Sequence, residues 1–172
     1  MKKANRLTLS LLTVSLFVFT ASTSLAHGQD RGEAKAKVGN ANVSVEYGRP
    51  ELRGRDPMKL MQPGSLWRIG ANAATTITSD ADLDFGGTRV AKGKHFLLAR
   101  LAEAGKWSLI VSSKAANEYE PGSKIAEVPL ELKDGEESVE LMSINLSNQD
   151  GRGVIEIVWG TSRLTGSFAA AK

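Results

Sequence analysis

The sequence predicts an all-β fold: a single antiparallel β-sandwich of about nine or ten short strands, with a jelly roll as one arrangement of them. Three observations predict it. Apolar and polar residues alternate with period two along most of the chain. Pairs of Gly, Asn and Asp punctuate these runs at the roughly 8–12-residue spacing of sandwiches and barrels. No window sustains a helical period.

The elements follow in order. Ala34, Ala36 and Val38 alternate with charged residues, Gly39-Asn40 turns the chain, and Val43, Val45 and Tyr47 alternate again, so a hairpin is expected. Residues 48–66 break the pattern with three prolines and three glycines, and Asp56-Pro57 fits an N-cap followed by one helical turn over Pro57 to Met61. Strands resume over Ala74 to Thr78 and Ala81 to Phe85, then from Lys94 through Leu101 and Trp107 to Val111. After a loop around Pro121-Gly122, Ala126 to Leu132 alternates and Lys133-Asp134-Gly135 is read as a turn into Val139 to Leu146. Asp150-Gly151 turns into Val154 to Trp159, and Gly160 breaks that run before Arg163 to Phe168.

The first residues belong to a different element. Lys2, Lys3 and Arg6 precede the apolar and hydroxylic run Leu7 to Thr20, and Ser24-Leu25-Ala26 sets small residues where a signal peptidase reads. This is the pattern of a secretory signal peptide over residues 1–26, its apolar core shorter than a membrane span. A flexible arm over 27–32 and a β-sandwich domain over 33–172 complete the expected organisation. Cleavage after Ala26 would remove three of the 22 cations and none of the 19 anions, leaving a neutral chain. The basic balance then belongs to the leader, and the electrostatic case for nucleic acid falls away. The expected location is periplasmic or extracellular, with no membrane span in the mature chain.

Several chemistries drop out. The chain has no cysteine, which excludes disulfides, thiolate metal sites and a cysteine nucleophile. Its two histidines are His27 and His95, and no Gly-x-Ser-x-Gly, His-Glu-x-x-His or phosphate-loop motif occurs. His27, first after the cleavage site, could chelate copper through its amine and ring, but a flexible arm does not hold a two-histidine geometry. Asp80, Asp82 and Asp84 alternate as on one strand face, about 6.5–7 Å apart, too far for one calcium ion to gather adjacent side chains. No metal site, cofactor or catalytic residue is therefore assigned. Trp107 and Trp159 sit in apolar runs and read as core, whereas polar residues and glycine surround Trp67.

Candidate ligand-binding residues come from the irregular connection. Residues 48–70 carry Arg49, Arg53, Arg55, Lys59 and Arg68 against Glu51 and Asp56, a local +3. Guanidinium forks match carboxylates and phosphates, and Asn72 adds a donor and an acceptor. Arg49, Arg55, Arg68 and Asn72 thus form either a pocket for a small polar or anionic ligand or an envelope partner, or a structural net that ties down the loop. A non-catalytic binding module is the expected function. The alternative is a small-substrate hydrolase or isomerase in the same pocket, for which Glu51 and Asp56 are the nearest proton-transfer groups.

The blocks Tyr47-x-Arg49-Pro50, Gly54-Arg55 and Pro63-Gly64-x-x-Trp67-Arg68-x-Gly70-Ala71-Asn72-x-Ala74-Thr75, followed by Gly93 to Leu98, Trp107 to Ile110 and Ile157 to Gly160, resemble the bacterial secreted and envelope family called domain of unknown function 2911. The resemblance spans nearly the whole chain after the leader and implies a secreted, mostly β domain. It brings no catalytic residues or cofactor. The family usually has Ser where this chain has Gly48, Glu where it has Ala73, and Tyr near His95-Phe96. Any acid–base role of that Glu would be lost here.

Overall fold

The computed structural model describes residues 31–172; the expected leader, His27 and most of the expected arm lie outside the described residues. Arg31 and Gly32, the last two residues of that arm, are already strand. Ten strands, β1 (Arg31–Val38), β2 (Ala41–Gly48), β3 (Leu66–Trp67), β4 (Thr76–Ser79), β5 (Leu83–Phe85), β6 (Thr88–Val90), β7 (Gly93–Glu103), β8 (Lys106–Ser112), β9 (Lys124–Gln149) and β10 (Arg152–Ala170), form one antiparallel sheet. Its order is β1-β2-β4-β7-β8-β9-β10-β5-β6, with β3 paired to β7. One short helix, α1 (Pro57–Leu60), stands where the Asp56-Pro57 signal places it. Among the described residues no helix is long and apolar enough to cross a membrane.

The turns follow from residue chemistry. Val38 pairs with Ala41 across Gly39, whose φ of 58° is the primed conformation that matches strand twist. Asp150 and Gly151 both have positive φ between β9 and β10, so this segment is a hairpin turn and not a calcium loop.

The alternating residues of the strands face inward onto one core. Val43 and Val45 of β2, Leu97 and Ala99 of β7, Leu109 and Val111 of β8, and Ile155 and Ile157 of β10 are all at most 2% exposed. Phe85 stacks on Phe168 at 5.1 Å, fastening β5 beneath the end of β10. The two layers of the expected sandwich are halves of the same sheet. The first half of β9 pairs with β8, and its second half returns to the start of the sheet. There Leu52 N donates to Glu140 O at 2.8 Å and Met142 N to Pro50 O at 3.0 Å.

Two expected breaks are corrected here. The residues Lys133-Asp134-Gly135 do not reverse the chain, and Gly160 does not end a strand. Both lie where the β9–β10 register slips, from Val158↔Ser143 to Gly160↔Val139 and then to Ser162↔Asp134. The extra residues of β9 form a bulge, which bends a strand without ending it. Arg163 holds it: Nη2 donates to Glu137 O at 2.8 Å, and Nη1 donates to Gly160 O at 3.1 Å and to Ser162 O at 3.2 Å. A Cβ at Gly135 would lie 2.8 Å from the Arg163 guanidinium carbon, so a larger residue there would displace that guanidinium. A Gly in a strand pattern marks a turn or a bulge, and only the tertiary partner decides which.

The aspartates also differ from expectation. Asp84 alone lies in a strand. Asp80 accepts from Asn42 N and Nδ2, Asp82 from Arg89 Nε and Lys92 N, and Asp84 from Gly87 N. The hydrogen bonds from Asn42 hold the Asp80 carboxyl below its ordinary value, and those from Lys92 N and Arg89 do the same for Asp82. Asp82 and Asp84 serve the β5–β6 hairpin and the turn after it, and Asp80 ties the end of β4 to β2. Among the described residues no group of three His, Asp or Glu side chains gathers as a metal site.

Candidate functional site

β3 is only two residues long, and it sets the geometry. Leu66 pairs with Arg100 and Trp67 with Ala99 of β7. Alternation then sends Trp67 to the core side and Arg68 to the outside. Trp67 is 9% exposed, stacks on Trp159 with ring centroids 6.0 Å apart, and meets Trp107 edge-on at 6.4 Å. The residue whose sequence neighbours are polar is thus the centre of a three-tryptophan cluster. Trp107 and Trp159 are core, as their apolar runs predict.

The chain beyond Arg68 is sharply folded. Ile69 is fully buried yet has φ 52°, Gly70 has φ 148° and Asn72 has φ 63°. A β-branched residue in the left-handed region costs on the order of 1–3 kcal/mol and persists only where its surroundings over-determine it. Two contacts do so here. Thr75 Oγ1 donates to Ile69 O at 2.6 Å within the core. Gly48 packs on Ala71 so closely that a Cβ at Gly48 would lie 1.9 Å from Ala71 O. The family's usual Ser at this position would need the loop to move.

A second loop faces this one. Residues 113–123 leave β8, pass through a 3-10 turn at Pro121–Ser123 and return into β9. Ser113 N donates to Ser123 O at 2.9 Å, and Arg100 Nη2 donates to Tyr119 Oη at 3.0 Å. Leu98 and Ile110, which alternate with core residues and so face outward, are nevertheless 1% and 0% exposed. This loop is the segment tied across that face. Beside it, Glu127 accepts from Ser108 Oγ at 2.6 Å and pairs with Lys124 at 2.7 Å and Arg100 at 3.8 Å. Burial pushes the Glu127 carboxyl up, but the hydrogen bonds from Lys124 and Ser108 and the charges of Arg100 and Lys124 outweigh it and hold the carboxyl below its ordinary value.

Between the two loops lies an open cleft of ≈ 590 Å³, lined by Leu66, Trp67, Arg68, Asn72 and Ala74 on one side and Ala115, Ala116 and Asn117 on the other. Arg68 and Asn72, two of the four predicted residues, come together in it. Arg68 is exposed, and its Nη1 donates to Asn72 O at 3.5 Å, a weak bond. Arg49 is elsewhere: Nε donates to Met142 O at 3.2 Å and Nη2 to Ser143 Oγ at 3.4 Å, tying the end of β2 to β9. Arg55 is exposed in the connection, and its backbone N donates to Leu52 O. Neither Arg49 nor Arg55 lines the cleft. The connection's other charges are partly consumed, since Arg53 Nε pairs with Glu51 at 2.8 Å. Glu51 lies in this exposed ion pair and does not line the cleft. Its backbone bridges Leu141, and Asp56 O accepts from Leu60 N at the start of α1. His95 Nε2 lies 2.7 Å from Ala91 O, at its own hairpin. Asn117 and the alanines opposite Arg68 were not singled out from the sequence. Their one signal is the strandless stretch 113–120, because alanine carries no chemistry that a motif could display.

The fold and cleft together define an all-β domain with an open surface cleft between two irregular loops on the outer face of the sheet. The chain belongs to the family described as "Protein of unknown function (DUF2911)", whose profile covers residues 29–168. No curated protein and no solved structure matches the chain.

Proposed function

We propose that this protein is an exported, non-catalytic binding module that takes a small polar or anionic ligand in the Arg68–Asn72 cleft. One observation carries this reading: Arg68 presents an exposed guanidinium, without an ion-pair partner among the described residues, into a cleft of ligand size. The backbone that delivers it is held in a costly conformation, which favours a position that must be kept. The lining residues contribute a cation, two amides and apolar groups, and no His, Asp or Glu. A proton-transfer enzyme would need such a group within hydrogen-bond reach of its substrate. Export rests on the basic, apolar and small-residue pattern of residues 1–26. The test is a melting-temperature screen of residues 27–172 against small anions, sugars and divalent metals, run in parallel on Arg68→Ala. An anion that raises the midpoint of the wild type and not of the variant supports the reading. An equal rise in both would remove Arg68 from the site.

A further inference from the structure

Resting on that reading, we propose that the cleft selects monocarboxylates that carry a hydroxyl or amide group next to the carboxylate, and discriminates against phosphate. The charge count comes first. The lining holds one cation, Arg68, because Arg49 is committed to Met142 O and Ser143 Oγ and Arg53 to Glu51. Protein sites for phosphoryl groups gather several donors, typically a helix N-terminus or a nest of backbone N–H groups together with basic side chains. The cleft is lined by neither α1 nor the 3-10 turn. A single guanidinium fork matches the two oxygens of one planar carboxylate and balances its single charge.

The amides supply the second requirement. Asn72 and Asn117 stand on opposite walls, and each offers both a donor and an acceptor. Two groups of that kind suit a ligand whose carbon skeleton also both donates and accepts, as a hydroxyl or a secondary amide does. The remaining lining, Ala74, Ala115, Ala116 and the edge of Trp67, is apolar and small, leaving room for a short skeleton. The walls are fixed on both sides. Ile69 O and Ala71 are clamped by Thr75 and Gly48, and the 113–123 loop by Ser123 and Arg100. A rigid groove loses little freedom on binding, which favours discrimination by shape and charge.

The experiment is isothermal titration of residues 27–172 with N-acetyl-L-alanine, D-glucuronate, N-acetyl-L-alaninamide and inorganic phosphate. Wild type, Arg68→Lys and Arg68→Ala are titrated, and the unchanged melting midpoint of each variant verifies its fold. The expected result is binding of at least one of the two carboxylates, with no binding of the neutral amide or of phosphate. Arg68→Lys keeps the charge but loses the fork, and should weaken carboxylate binding by about 10-fold, as expected for one charge-assisted hydrogen bond. Arg68→Ala should abolish it. Phosphate binding as tightly as the carboxylates, with Arg68→Lys as good as wild type, would overturn the carboxylate proposal and leave an anion site standing. No heat from any probe would overturn the carboxylate proposal alone, whereas binding that survives Arg68→Ala would overturn the proposal and the Arg68-based binding reading together.

Discussion

Arg49 and Arg68 entered as members of one cationic group, and the structure gives them opposite characters that a melting experiment separates. Arg49 is half-buried and reaches Met142, which is fully buried, through Nε at 3.2 Å. Its Nη2 also meets Ser143 Oγ at 3.4 Å. Removing the side chain in Arg49→Ala leaves the Met142 carbonyl without that donor and loosens the seam between β2 and β9. An unsatisfied buried group costs about 1–3 kcal/mol, and partial access of water favours the lower half of that range. For a domain of this size, about 1–2 kcal/mol lowers the melting midpoint by about 3–8 °C. Arg68→Ala gives up a single exposed bond of 3.5 Å and should change stability by no more than about 0.5 kcal/mol. Differential scanning calorimetry of residues 27–172 without added anions measures both. The two changes touch different partners, so the double variant should be additive within about 0.5 kcal/mol. If Arg68→Ala destabilises as much as Arg49→Ala, Arg68 is a structural strut and the cleft loses its principal ligand-binding group.

Other outcomes follow from polar groups in the sheet. Thr76 is 5% exposed and its Oγ1 has no hydrogen-bond partner, so Thr76→Val should raise stability by about 1 kcal/mol, seen as a higher urea midpoint at unchanged slope. A lower midpoint would mean that the hydroxyl is satisfied by solvent. The Glu127 carboxyl is held below its ordinary value of 4.5, so its contribution to stability is fully present above that value and is lost as pH falls through the folded pKa. Ser108→Ala, which removes one of the bonds that lower it, should make stability fall less steeply between about pH 5 and pH 3. An unchanged acid limb would remove Ser108 from that balance.

The local code was readable wherever neighbours in sequence decide the outcome. Gly39, Asp150-Gly151 and the alternation of Val43, Val45 and Tyr47 specify their hairpins without help from distant residues. Asp56-Pro57 likewise starts α1. The sequence was ambiguous where a distant partner decides. Gly135 and Gly160 each look like a break alone, and both belong to one irregular stretch of the β9–β10 pair that Arg163 spans. Polar residues and glycine surround Trp67 in sequence and leave its surroundings open, whereas Trp107 and Trp159, far along the chain, pack against it. In the candidate site, Arg68 and Asn72 were legible from charge and hydrogen-bonding capacity. Their separation from Arg49 was not, since nothing local says that β9 passes beneath Arg49. The opposing wall was silent because it is mostly alanine.

The bulge shared by β9 and β10 has a consequence for how the chain reaches its native state. One strand serves both layers, so neither layer can assemble by itself: the residues that complete the first are covalently continuous with those that complete the second. Pairing Pro50–Leu52 with Glu140–Met142 closes a loop of most of the domain, and such distant closures place a fold among the slower β topologies, on the order of milliseconds to seconds. The same continuity makes opening concerted, because a rupture at the bulge releases contacts on both faces at once. The cleft sits outside that unit, on loops fastened to its surface. Under the proposed function, a ligand would therefore come and go while the doubly used strand stays shut.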